Sequence, residues 1–110
     1  MTIGEVWELH HGGELIARLT VTGADFPWLQ ATVEELPGFD AVRPWFIEQE
    51  RAAAEEDFER MDSAYTKIRR ALTMTFPDGT PVAEFMLDIY QDGTAGWRWH
   101  NEPFDPYDAP

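Results

Sequence analysis

Hydrophobic and polar positions alternate through the first third of the chain, with period two over residues 5–10 and again over residues 14–22, the spacing of half-buried strands. His11-Gly12-Gly13 separates the two runs, and paired glycines supply the positive φ that a tight hairpin turn needs. In the second run Leu15, Ala17, Leu19 and Val21 fall on one face, and Ile16 shares the other with Arg18, Thr20 and Thr22. After Gly23-Ala24-Asp25-Phe26-Pro27 a weaker run over residues 28–35 keeps Leu29, Ala31 and Val33 in phase, and Leu36-Pro37-Gly38 ends it. Three strands are predicted.

The period then changes. Asp40 is placed to cap a helix and Pro44 falls in its first turn, where a missing donor is tolerated. No Pro or Gly interrupts the chain from there to about residue 70. Ala54, Phe58, Met61, Tyr65, Ile68 and Leu72 step by three or four and form one stripe. Trp45 lies on the opposite side, so a bend or break is predicted near residues 48–51. Beyond the helix, residues 71–76, 82–90 and 95–100 read as a meander joined at Pro77-Asp78-Gly79-Thr80 and Gln91-Asp92-Gly93-Thr94, both with turn chemistry.

The fold expected is α+β: an antiparallel sheet in the order β-β-β-α-β-β-β, with one long or broken helix packed on one face. The helix stripe is expected to meet Leu15, Ala17, Leu19, Phe85, Leu87 and the face of Trp97 and Trp99. Residues 1–100 form a single domain, and residues 101–110, with three Pro and three acids, are expected to be an extended or disordered tail.

Charge narrows the function classes. The 110 residues carry a net charge of −13, and between Glu34 and Asp62 ten acids face only Arg43, Arg51 and Arg60. Such a field repels phosphate backbones and anionic lipid, which argues against nucleic-acid and membrane partners. It suits a solvated helix face, or else a docking surface for a basic partner or a mimic of nucleic acid. No Cys is present, which excludes disulfides and thiolate ligands. The first residues have no basic or apolar leader pattern, and no run approaches a membrane span, so a cytoplasmic setting is the default.

Candidate chemistry is thin. His10, Glu8 and His100 would make a metal set only if the first and last strands were neighbours. Glu55, Glu59 and Asp62 share a helix face without the spacing of a calcium loop, and Glu84 and Asp88 lie on one strand face, where burial would raise a carboxylate pKa. Nucleophile, phosphate-loop and dinucleotide motifs are absent. No metal or cofactor is expected, and the chain leans away from catalysis. Trp97 and Trp99 share a strand face opposite Arg98 and His100; the pair reads either as core or as an aromatic platform edged by Arg98. Together with Trp45 and Phe46, which fit neither the helix stripe nor a hairpin face, Trp97, Arg98 and Trp99 form the candidate interaction surface.

The segment LTVTGADFPWLQATVEELPGFDAVRPWF, followed by an acidic Ala-rich helix and a closing WRW strand, resembles small uncharacterised proteins of actinobacteria over residues 7–99. The resemblance implies a bacterial cytoplasmic setting and brings no site residues with it. The function expected is a small acidic protein-binding or regulatory module without catalysis, its partner a second copy in a homodimer or a basic or apolar protein. The alternative is a small-molecule-binding protein or small enzyme with a pocket between helix and sheet.

Overall fold

Gly12 and Gly13 take φ of 58° and 84°, a conformation that side chains resist and glycine accepts. The computed structural model describes residues 2–101, and in it this turn joins β1 (Val6–His11) to β2 (Glu14–Asp25) as antiparallel neighbours. β2 leads through Phe26–Pro27, a cis peptide, into β3 (Trp28–Glu35). A 3-10 turn over Pro37–Ala41 follows, then helices α1 (Arg43–Ala54) and α2 (Phe58–Ala71). Strands β4 (Leu72–Thr75), β5 (Glu84–Ile89) and β6 (Thr94–His100) close the order. All five strand pairings are antiparallel, so the fold is α+β. The tail expected to be extended or disordered lies, apart from Asn101, outside the described residues.

The lateral order departs from a simple pair of meanders. It runs β4-β1-β2-β3-β6-β5, so β4 leaves β5 and β6 and pairs with β1 at the opposite edge. Trp7 on β1 and Trp97 on β6 are separated by two strands, yet their rings lie 5.4 Å apart. The sheet is therefore strongly curled, with its core on the concave side. Leu9, Leu19, Val21, Leu29, Ala31 and Leu87 are buried with the two tryptophans. Each buried tryptophan removes roughly 150–250 Å² from water, about 4–6 kcal/mol by area. The approach to β5 returns to the other edge: Val82 N–H donates to the Met74 carbonyl at 2.8 Å, and Thr75 bridges Pro81.

Two helices replace the single one expected, and they contact the edge strands, α2 touching both β4 and β5. The break lies later than the phase change suggested. α1 continues to Ala54, Glu56 takes a positive φ of 54°, and the Asp57 carboxylate accepts the Arg60 N–H at 3.2 Å to begin α2. The misplaced phase has a physical origin: α1 buries its own stripe, Phe46, Gln49 and Ala52, whereas α2 buries Ala64 and Ile68. Asp40 caps no α-helix. It sits in the 3-10 turn and accepts from Arg43 Nη2 at 2.8 Å, while the N-cap of α1 is Val42, which makes no side-chain capping bond. Phe58, expected in the core, is 72% exposed.

Ile16 was expected on the outer face. A register shift between Leu9 and His10 pairs Leu9 with Ala17 and His10 with Leu15, leaving Ile16 as the extra residue of a bulge. It is buried beneath the 3-10 turn, where a Cβ on Gly38 would sit 2.9 Å from the Ile16 Cγ2. Glycine is the residue that admits this approach.

Candidate functional site

The curled sheet has a second, outward face near its β3-β6-β5 end. Leu29 pairs with Trp97, and Arg98 with Met86. Alternation therefore sets Trp28, Arg98 and Met86 in one outward row. The next row is Gln30, Gly96 and Asp88, and Gly96 contributes no side chain, so the surface dips between its neighbours. Trp28, half-buried, lines three hollows that meet around it.

The first is an apolar groove of about 460 Å³ between α2 and β5. Trp28, Phe58, Met61, Tyr65 and Met86 form its walls, and Asp62, Gln49 and Asp88 bring polarity to it. Gln49 is buried, and its Nε2 donates at 2.7 Å to both the Leu87 carbonyl and Asp88 Oδ1. One amide thus satisfies an edge-strand carbonyl and orients a carboxylate. Burial pushes the Asp88 pKa up from its ordinary 3.8; the Gln49 hydrogen bond works against that, and the charge of Glu50 adds to it.

One end of the groove is anchored by a charged cluster. Glu84, 7% exposed, accepts from Arg69 Nε and, at 3.4 Å, from the Tyr65 hydroxyl. The Arg69 guanidinium also lies 4.7 Å from the centre of the Phe85 ring. Burial raises the Tyr65 pKa, and the Glu84 charge adds to the effect. Glu84 and Asp88 therefore have different anchors, and their surroundings hold one carboxylate against a cation and the other against an amide.

The second hollow, about 750 Å³, lies on the other side of Trp28 between the β2–β3 turn and the end of β6. Phe26, Pro27, Trp28 and Trp99 wall it, and Arg98 and His100 line it. Phe26 is 95% exposed. The third, about 420 Å³, lies over Gly96 and is lined by Thr22, Asp25, Gln30 and Tyr90 among others.

The sequence-predicted surface residues are dispersed. Trp97 is 0% exposed, and its ring meets Trp7 inside the curl. Phe46, 2% exposed, stacks on Phe39 with ring centres 5.7 Å apart. Neither presents surface for a partner in the folded chain, because the curl and the 3-10 turn supply intramolecular aromatic neighbours that periodicity does not reveal. Trp45 is half-buried, edge-on to His11 and 5.8 Å from Lys67 Nζ. Trp99 packs on Phe76 and Trp7 while reaching the second hollow, and Arg98 reaches the same hollow from the outward face.

The metal set conceived from His10, Glu8 and His100 required β1 beside β6, and β2 and β3 intervene. His10 Nε2 lies 3.5 Å from Glu8 instead. Glu55 ends α1 and its carboxylate accepts from Arg60 Nη1 at 2.5 Å. Among the described residues no group of three or more His, Asp or Glu side chains is arranged to hold a metal, and no helix is long and apolar enough to cross a membrane.

Sequence reasoning missed Trp28, Phe26, Met86 and Gln49 as site residues. Asp25-Phe26-Pro27-Trp28 was the available signal, since two aromatics at a Pro-containing turn cannot both enter a strand face. Comparison of the chain with protein-family models, curated proteins and solved structures finds no match. Geometry alone carries the functional argument.

Proposed function

We propose that the chain is a non-catalytic protein-binding module whose α2–β5 groove receives an amphipathic segment of a basic partner. The observation that carries this reading is the exposed apolar wall itself: Phe58 is 72% exposed beside Met61, Tyr65, Met86 and Trp28. A small domain that leaves a phenylalanine outside its core beside two methionines has the composition of an adaptable peptide groove. The occupant is basic rather than a second copy. The groove's charged groups are Asp62 and Asp88, and two chains of −13 repel each other. Asp88, half-buried and oriented by Gln49, is placed to accept a lysine or arginine side chain from that segment, which would offset its desolvation.

Peptide-library panning against the full chain tests the reading. Enriched sequences should combine leucine-, phenylalanine- or methionine-like positions at helical spacing with Lys or Arg, and enrichment should collapse on Phe58→Ser/Met86→Ser. Equal enrichment on the variant would remove the groove as the site. Concentration-dependent dimerisation by sedimentation, abolished by the same pair of substitutions, would assign the groove to self-association instead.

A further inference from the structure

Arg98 is half-buried, and its Nε is buried with no hydrogen-bond partner among the described residues. It forms no ion pair with a described carboxylate, whereas Arg18, Arg43, Arg60 and Arg69 each do. In a chain with 21 acids and eight basic residues, a partly desolvated guanidinium with no anion among the described residues stands out, because burial costs a charge its hydration unless a partner restores it. The surroundings specify that partner's shape. Arg98 opens on a hollow of about 750 Å³ walled by Phe26, Pro27, Trp28 and Trp99, and no described carboxylate lines it. Most of this wall is apolar and aromatic; the Arg98 guanidinium is at the β6 side, and His100 follows Trp99 along the strand.

We infer that this hollow is a binding site for a small organic carboxylate with an aromatic body. The ring would lie among Phe26, Trp28 and Trp99, and the carboxylate would take the donors that Arg98 offers in fixed fork geometry. An apolar recess with a few convergent polar groups is the general form of a small-molecule site. The surrounding negative field discriminates further: it disfavours polyanions such as nucleotides, whose charge far exceeds what one arginine can compensate. A single carboxylate matches the single guanidinium. The site is independent of the α2–β5 groove, since only Trp28 is common to both linings.

Nuclear magnetic resonance titration of the full chain tests this directly, with the indole N–H signals of Trp28 and Trp99 as local reporters. The probes are naphthalene-2-carboxylate, naphthalene-2-methanol and naphthalene-2-methylamine, which share a body and differ in charge. The carboxylate should shift both signals saturably and bind at least about tenfold more tightly than the alcohol, about 1.4 kcal/mol; the amine should bind weakest. Arg98→Gln, checked for an unchanged melting temperature, should erase the carboxylate's advantage while leaving the alcohol's affinity alone. Arg98→Lys should restore part of it. Phe58→Ser should leave carboxylate binding unchanged and so separates this site from the groove. Equal affinities for acid and alcohol, or an acid affinity unaltered by Arg98→Gln, would overturn the assignment, as would no saturable shift with any of the three probes. Tighter binding of a peptide ending in a phenylalanine carboxylate than of its amide and of naphthalene-2-carboxylate would overturn the small-molecule reading and assign the hollow to a protein terminus.

Discussion

Asp88 shows how one residue's surroundings decide its contribution. Burial raises its pKa above the unfolded value, so between those two values the folded state binds more protons than the unfolded one. Stability therefore falls as pH rises through that window, and ionised Asp88 is a net cost at neutral pH. Asp88→Asn keeps an acceptor for Gln49 and is expected to raise the melting temperature at neutral pH. The gain should vanish below the ordinary carboxylate range, a comparison that thermal melts at two pH values make. Glu84 is the opposite case. Losing the Arg69 guanidinium leaves a buried carboxylate without its main cation, and Arg69→Met should cost roughly 2–4 kcal/mol in denaturant melts. The figure is discounted for the 22% side-chain exposure of Arg69. Arg69→Met/Glu84→Leu should recover most of it, since an apolar pair needs no hydration. At Gly38 the test is steric: Gly38→Ala would press a methyl against the buried Ile16 and should cost about 1–3 kcal/mol.

At the scale of elements, the turns, the strands and the extent of the helical span were legible, and the place of the break within that span was not. The two Asp-Gly-Thr turns are alike in the structure: Asp78 accepts from the Thr80 N–H and hydroxyl at 2.9 and 2.7 Å, and Asp92 from those of Thr94 at 3.0 and 2.6 Å. These bonds lower both carboxylate pKa values, the Thr80 backbone N–H leading at Asp78 and the Thr94 hydroxyl at Asp92. Asp92→Ala should lower the melting temperature at neutral pH, and the loss should shrink as acid titrates the wild-type carboxylate below its unfolded value. Between α1 and α2 the local signals conflicted. Asp57, the true cap, was hidden within a run of acids, and Glu56 adopts a conformation more usual for glycine. The stripe through Phe58 was real in sequence but only its later part enters the core, because α2 lies across the edge strands and its first turn overhangs the groove. Ile68→Ala should cost about 2–5 kcal/mol, whereas Phe58→Ser should change stability by no more than about 0.5 kcal/mol.

Across the whole molecule, what periodicity could not convey was curl. Alternation placed Trp97 and Arg98 on opposite faces correctly, but not which face was enclosed or that Trp7 would meet Trp97 over two intervening strands. Long-range strand order decides that, and it depends on where β4 and the approach to β5 return. The opposite face then gathers residues distant in sequence, Trp28, Phe58 and Met86, into one groove around a chain whose net charge favours cations. The central claim is that this groove binds an apolar, basic segment. Calorimetric titration of the full chain at physiological salt with an amphipathic Leu/Lys helical peptide tests it most directly, with a same-composition scrambled peptide separating groove binding from general charge attraction. The account predicts saturable one-to-one binding to the wild type, at least about tenfold weaker for the scrambled peptide and for Phe58→Ser/Met86→Ser. Affinities equal for both peptides and unaffected by the two substitutions would contradict it.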